Sequence, residues 1–191
     1  MRRSIAVSLS VALMLSAQSY ATEWTKAIDQ FFSITNHILS GGRAMFDDLA
    51  KTQALDETDE LYSEAGNILV QKHSLKEDMQ RGVFDQSKLK EINHNVSRMG
   101  YSLRRFGNEI DKVSGLSSGN LRVLGGKLAD DKARELTLVQ ITWRDNDKAS
   151  QDAAVKVMDN AIATTTKFQK ACKCLSDTIK EKKQACDPKD F

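Results

Sequence analysis

Three cysteines, Cys172, Cys174 and Cys186, lie within the last twenty residues of this 191-residue chain, and theirs is the most definite side-chain chemistry in the sequence. In an oxidising compartment two of them should join as a disulfide. As thiolates, three could hold a soft metal, but tetrahedral zinc takes four ligands and no fourth is evident nearby, so no metal site is expected. Cys172 and Cys174 stand two apart on a predicted helix and point to nearly opposite sides. Cys186 is therefore the expected partner of one of them. Because Cys172 falls on an apolar helical face, the expected pair is Cys174 with Cys186, leaving one free thiol. An unbroken helix would hold that pair ~18 Å apart at ~1.5 Å per residue, against the ~4.4–6.8 Å a disulfide tolerates. The helix must then end near Lys180 and the tail fold back.

Other spacings carry less. Glu91 and His94 have the E-x-x-H spacing used by di-iron carboxylate centres, but such centres need a second copy, and Ile34 and Val70 precede His37 and His73 at that step. Asp145-Asn146-Asp147 begins like a calcium loop, yet Ser150 and Lys156 occupy its glycine and terminal glutamate positions. One of these aspartates is expected to cap a helix instead. No nucleophile elbow, phosphate loop or dinucleotide glycine pattern occurs. No catalytic residue and no cofactor are expected, and the chain reads as a non-enzyme.

The elements that carry these residues are predicted to be helices throughout. Pro188 is the sole proline, which removes the commonest helix breaker. The clearest signal runs through Leu89, Ile92, Val96, Met99, Leu103, Phe106, Ile110 and Val113 in alternating steps of three and four, a four-heptad seam over Gln86–Val113 capped by Asp85 and stopped by Gly115. Such a seam needs partner helices. One is predicted over Glu57–Arg81, with Leu61, Ala65, Ile68, Leu75 and Met79 on its face, Asp56 as N-cap and Gly82 as stop, antiparallel to the heptad helix. Trp24, Ile28, Phe31, Ile34 and Ile38 mark another helix, broken or kinked at Gly41-Gly42 before Met45, Phe46 and Leu49. Leu121 to Trp143 is read as an imperfect helical face interrupted at Gly125-Gly126 and Lys132. There, Val139, Ile141 and Trp143 alternate as a strand would, but no partner strand is found. The last helix, over 149–180, presents Ala154, Met158, Ala161, Thr165, Phe168, Cys172, Leu175 and Ile179. The expected fold is all-α, an elongated antiparallel helical bundle with coiled-coil-like packing. Within the heptad helix, Asn93, Gly100, Gly107 and Ser114 form a small-residue column suited to close approach of another helix or a partner.

The ends bear on compartment. Arg2-Arg3, an apolar run from Ile5 to Leu15 and Ser19-Tyr20-Ala21 form a signal-peptide pattern over residues 1–21, leaving 22–191 as one domain with periplasmic or secreted destination. The run is too short to span a bilayer and no longer one follows, so membrane association is not expected. Losing Arg2 and Arg3 takes the formal charge from +2 to zero, and with both signs interspersed nothing draws the chain to nucleic acid. Hydrophobic residues at 40% support an ordinary soluble core. The expectation is an exported interaction protein with a protein partner or self-association, such as an accessory subunit of a bacterial envelope or secretion assembly. The alternatives are an immunity or inhibitor protein against an exported toxin, and a membrane-active helical protein.

Overall fold

The computed structural model describes residues 23–130 and 136–184, and these contain seven helices and no strand. The first, α1, spans 23–41. It is followed by α2 (Arg43–Lys51), α3 (Ala54–Gln80), α4 (Gln86–Ile110), α5 (Gly119–Asp130), α6 (Thr137–Thr142) and α7 (Lys148–Glu181). Residues 1–21, where a signal peptide is expected, lie outside the described residues. At ~1.5 Å per residue, the 34 residues of α7 make a rod of ~51 Å, the longest member of an all-α bundle.

The periodic faces become the core. Leu61, Ala65, Ile68 and Leu75 of α3 are fully buried, as are Ile92, Val96, Met99, Leu103 and Phe106 of α4 and Phe168, Cys172 and Leu175 of α7. Phe31 of α1 joins three helices: it stacks on Phe106 at 5.2 Å and meets Phe168 edge-on at 5.5 Å, while Trp24 packs edge-on against Phe168 at 5.1 Å. At the other end of the bundle Phe84, in the α3–α4 turn, stacks on Trp143, which follows α6.

The break expected at Gly41-Gly42 falls at Gly42, whose φ of 70° is open to glycine at little cost, so α1 and α2 are separate helices. Other boundaries differ from the sequence expectation for local reasons. Helix α3 starts at Ala54 because the Thr52 hydroxyl accepts the Ala54 amide at 3.2 Å; Asp56 is not the cap but lies with Glu57 in the first turn, where carboxylates meet the positive end of the helix. Helix α4 ends at Ile110, three residues early, although Val113 stays buried. Asp111 is turned aside there to accept the Ser118 amide at 2.8 Å and the Arg122 guanidinium at 2.9 Å. Its N-cap is Asp85, which accepts from the amides of Ser87 and Lys88, and Asp147 does the same for Ala149 and Ser150 at the start of α7. Asp145 instead accepts the Trp143 indole at 3.0 Å. Within α7, Ile162 rather than Ala161 enters the core. The stretch read as one imperfect face is two helices, with Gly125-Gly126 inside α5.

Candidate functional site

Helices α3 and α4 form an antiparallel hairpin whose outward flanks are polar, and these flanks pair in a regular ladder. Lys88 donates to Asp78 and, at 2.9 Å, to Ser74. Gln71 donates to Glu91 at 2.7 Å and accepts from Asn95 at 2.9 Å. Further along, Arg105 donates to Glu57 at 3.0 Å and to Glu60 at 2.6 Å, and Ser102 donates to Glu60 at 3.4 Å. The residue numbers across these contacts sum to between 162 and 166, as an antiparallel register requires.

Glu64 and Arg98 sum to 162 and should make the middle rung, but they do not pair. Instead a cleft of about 370 Å³ opens there, lined by Glu64, Asn67, Val70, Gln71, Asn95 and Arg98. Glu64 Oε2 is buried with no hydrogen-bond partner among the described residues. Burial, the largest influence, raises the Glu64 carboxyl above its ordinary range; the Ser102 hydroxyl opposes this and the neighbouring Glu60 charge adds to it. Arg98 is exposed, and among the described residues its guanidinium forms no ion pair or hydrogen bond. One lining residue is apolar, Val70, which is 70% exposed, and Tyr101, three residues beyond Arg98 on α4, is 53% exposed. The cleft thus offers an acceptor, a fork of donors and the Asn67 amide beside the exposed Val70. A guest presenting one donor and one acceptor side by side, as a peptide group or carboxamide does, matches that arrangement.

The column singled out from the sequence lies on a different flank of α4. A Cβ built on Gly100 would stand 2.5 Å from Ala129 N and 2.8 Å from Gly125 O, and one on Gly107 would stand 2.5 Å from Arg122 Cγ. Gly100 therefore faces the α5 backbone of the same chain at contact distance, Gly107 faces the Arg122 side chain of α5, and Gly125 returns the first contact, its own Cβ position being 2.9 Å from Gly100 O. Asn93 is half-buried with its Oδ1 unpartnered among the described residues, and Ser114 is exposed in the turn after α4, outside the α5 contact. Cys172 is buried and free, and burial pushes its thiol well up. Cys174 is 4% exposed, while its expected partner Cys186 lies outside the described residues. Glu91 and His94 are both exposed, and no group of three metal-ligating side chains occurs among the described residues.

A second concavity, about 860 Å³, runs along α1 over Ile28 and Phe32, with Asp29 and His37 on its rim and Lys167 of α7 at its edge. Among the described residues no helix is long and apolar enough to cross a membrane. No protein-family model matches the chain, and comparison with curated proteins and with solved structures finds no match.

Glu64, Asn67 and Arg98 carry no motif and were not singled out from the sequence. The signal that finds them is the hairpin register: once Gly82 fixes the turn, the flanking residues can be paired by number, and the 64/98 position falls at the middle of the series.

Proposed function

We propose that this chain is an exported, non-enzymatic interaction protein, an accessory subunit of a bacterial envelope or secretion assembly, that docks a partner protein on its α3–α4 face. The observation that carries this reading is the unmade rung: a buried carboxylate oxygen without a partner, an unpaired arginine and exposed Val70 around one cleft, with exposed Tyr101 three residues beyond Arg98 on the same helix. A buried polar atom left unsatisfied costs ~1–3 kcal/mol, and a partner backbone or amide that satisfies it recovers this on binding. Arginine and tyrosine are also the residue types that dominate binding hot spots.

The test is site-specific photo-crosslinking in cells that export the chain. A photoreactive residue at Val70 is expected to capture a discrete partner, or a second copy of the chain, and the adduct should vanish in an Arg98→Glu background. The same probe at Val123, an equally apolar exposed site on α5 that is 48% exposed, should capture nothing. Crosslinks from position 123 but none from 70 would remove the α3–α4 face as the docking surface. Size-exclusion chromatography with light scattering, with and without reductant, then separates a self-associating chain from one that binds a foreign partner.

A further inference from the structure

The charges of the α3–α4 face are divided between its two helices. The ladder positions on α3 carry the carboxylates Glu57, Glu60, Glu64 and Asp78 and no base, whereas those on α4 carry Lys88, Arg98 and Arg105 against the single acid Glu91. Lys88 and Arg105 are engaged in ion pairs within the chain, so the open charges are those of the middle rung. There Glu64 and Arg98 line one cleft from α3 and from α4 without pairing. Exposed apolar side chains stand on both sides of that rung. Val70 lies ~9 Å along α3 from Glu64, and Tyr101 lies ~4.5 Å along α4 from Arg98, in the opposite direction because the helices are antiparallel.

A second copy of the same chain can meet this face by two kinds of two-fold operation. An axis across the hairpin reverses the levels and lays α3 on α3, acid against acid, which like-charge repulsion disfavours. An axis along the hairpin keeps the levels and exchanges the sides. Helix α3 of one copy then lies on α4 of the other, antiparallel and with unchanged residue sums, in the manner of a four-helix bundle. Glu64 comes level with Arg98 of the second copy, and Arg98 with Glu64 of the second copy. The rung left open within the chain is thus made twice between chains. The face is large enough for this. The 27 residues of α3 run ~40 Å and two packed helices are ~20 Å across. Their footprint of ~800 Å² per copy is the area each partner contributes to a standard interface.

Resting on the docking face proposed above, we propose that its occupant is a second copy of this chain, packed about a two-fold axis along the hairpin. Glu64 of each copy pairs with Arg98 of the other, and Val70 and Tyr101 are covered.

Charge reversal tests the pairing. In Glu64→Arg each rung between copies sets arginine against arginine, and in Arg98→Glu it sets carboxylate against carboxylate. Each variant alone should therefore dissociate at least ~100-fold more readily than the wild type. An equimolar mixture restores both rungs, because one variant supplies two arginines and the other two carboxylates. Native mass spectrometry with one variant isotope-labelled should then find a one-to-one heterodimer, a rescue open neither to a pair made inside one chain nor to a foreign partner. A dimer that persists in both variants alone overturns the proposal, as does a mixture that stays monomeric while both variants keep their helical circular dichroism. Should Glu64→Arg lose its fold, Arg98→Glu, at an exposed position, still decides: a variant dimer as tight as the wild type overturns the pairing. Light scattering of the wild type separates this proposal from the reading it rests on. A wild type still monomeric at ~100 μM whose Val70 probe captures a foreign protein removes the second copy and keeps the docking face. A monomeric wild type with no capture at Val70 removes both.

Discussion

Replacing Gly100 by alanine sets two known quantities against each other. Inside a helix alanine is favoured over glycine by ~1 kcal/mol, so the change would stabilise α4 if the site were open. It is not open: the new Cβ would sit 2.5 Å from Ala129 N, 2.8 Å from Gly125 O and 2.9 Å from Leu128 Cβ, where carbon contacts normally lie at ~3.5–4.0 Å. The two nearest of these atoms belong to the α5 backbone, which cannot swing aside as a side-chain end can. Overpacking costs ~1–3 kcal/mol, and a backbone neighbour argues for the upper end, so the net expectation is a loss of about 2 kcal/mol. For a chain of this size that lowers Tm by ~4–8 °C. Gly126, one residue beyond Gly125 in the same helix, has nothing within 4 Å of its Cβ position, and Gly126→Ala should gain up to ~1 kcal/mol. Urea denaturation of the two variants beside the wild type gives the comparison directly. A Gly100→Ala protein as stable as Gly126→Ala would refute the reasoning, because it would mean that α5 does not lie against α4 at backbone distance.

The remaining predictions concern caps, charges and thiols. Asp147→Ala should cost about 1 kcal/mol and speed hydrogen exchange at the Ala149 and Ser150 amides it holds, whereas Asp145→Ala should leave those two amides protected. Glu64, held above its ordinary range chiefly by burial, contributes stability that is complete below its unfolded value near 4.5 and is lost as pH rises through the folded one. Between pH 4 and 7 the wild type should therefore lose stability relative to Glu64→Gln, and a pH-independent difference would contradict the shift. Asp111 runs the other way. Burial alone would raise it, but the Ser118 amide and hydroxyl and the Arg122 guanidinium overcome this and hold it below 3.8, so its contribution is present above that value and lost on acidification. Asp111→Asn should flatten the acid limb of the stability profile. Cys172, buried with its thiol pushed up, should resist a thiol reagent in the native chain and react at the rate of global unfolding; rapid native labelling at that residue would show the core to be open.

The heptad face of α4 was legible because its steps never depart from three and four, and every member of it is buried. The end of α4 was not legible, because it is set by Asp111 reaching Ser118 and Arg122, partners that only the folded turn brings near. The same holds for α3, whose start is fixed by Thr52 at the end of the preceding helix rather than by Asp56. The α3 face read from the sequence skips one seam position, between Ile68 and Leu75, and Lys72 occupies it: a fully buried lysine whose Nζ donates to Thr165 at 2.7 Å. A polarity-based reading passes over such a residue, although the series 61, 65, 68, 75, 79 leaves a visible gap for it. Strand-like alternation misleads at Val139, Ile141 and Trp143, since Val139 is buried within α6, Ile141 is exposed, and Trp143 has already left the helix to stack on Phe84. The cleft at Glu64 and Arg98 lay one inference further away, in the pairing of two faces rather than in either face.

The aromatic junction of Trp24, Phe31, Phe106 and Phe168 has a bearing on biogenesis. Its outermost members belong to the first and last long helices, so the junction cannot close until α7 has been synthesised. Contacts between residues so far apart in sequence form late, because the intervening chain must first give up its loop entropy. A nascent chain lacking α7 therefore holds an incomplete core, with Trp24 and Phe31 short of their common neighbour Phe168. Under the export proposed above, this order of events keeps the bundle from locking before α7, the last of the described helices, has followed. The same order makes C-terminal truncation more damaging than N-terminal trimming up to residue 22: loss of α7 strips Trp24 and Phe31 of their shared neighbour at once, and such a chain is expected to aggregate rather than refold.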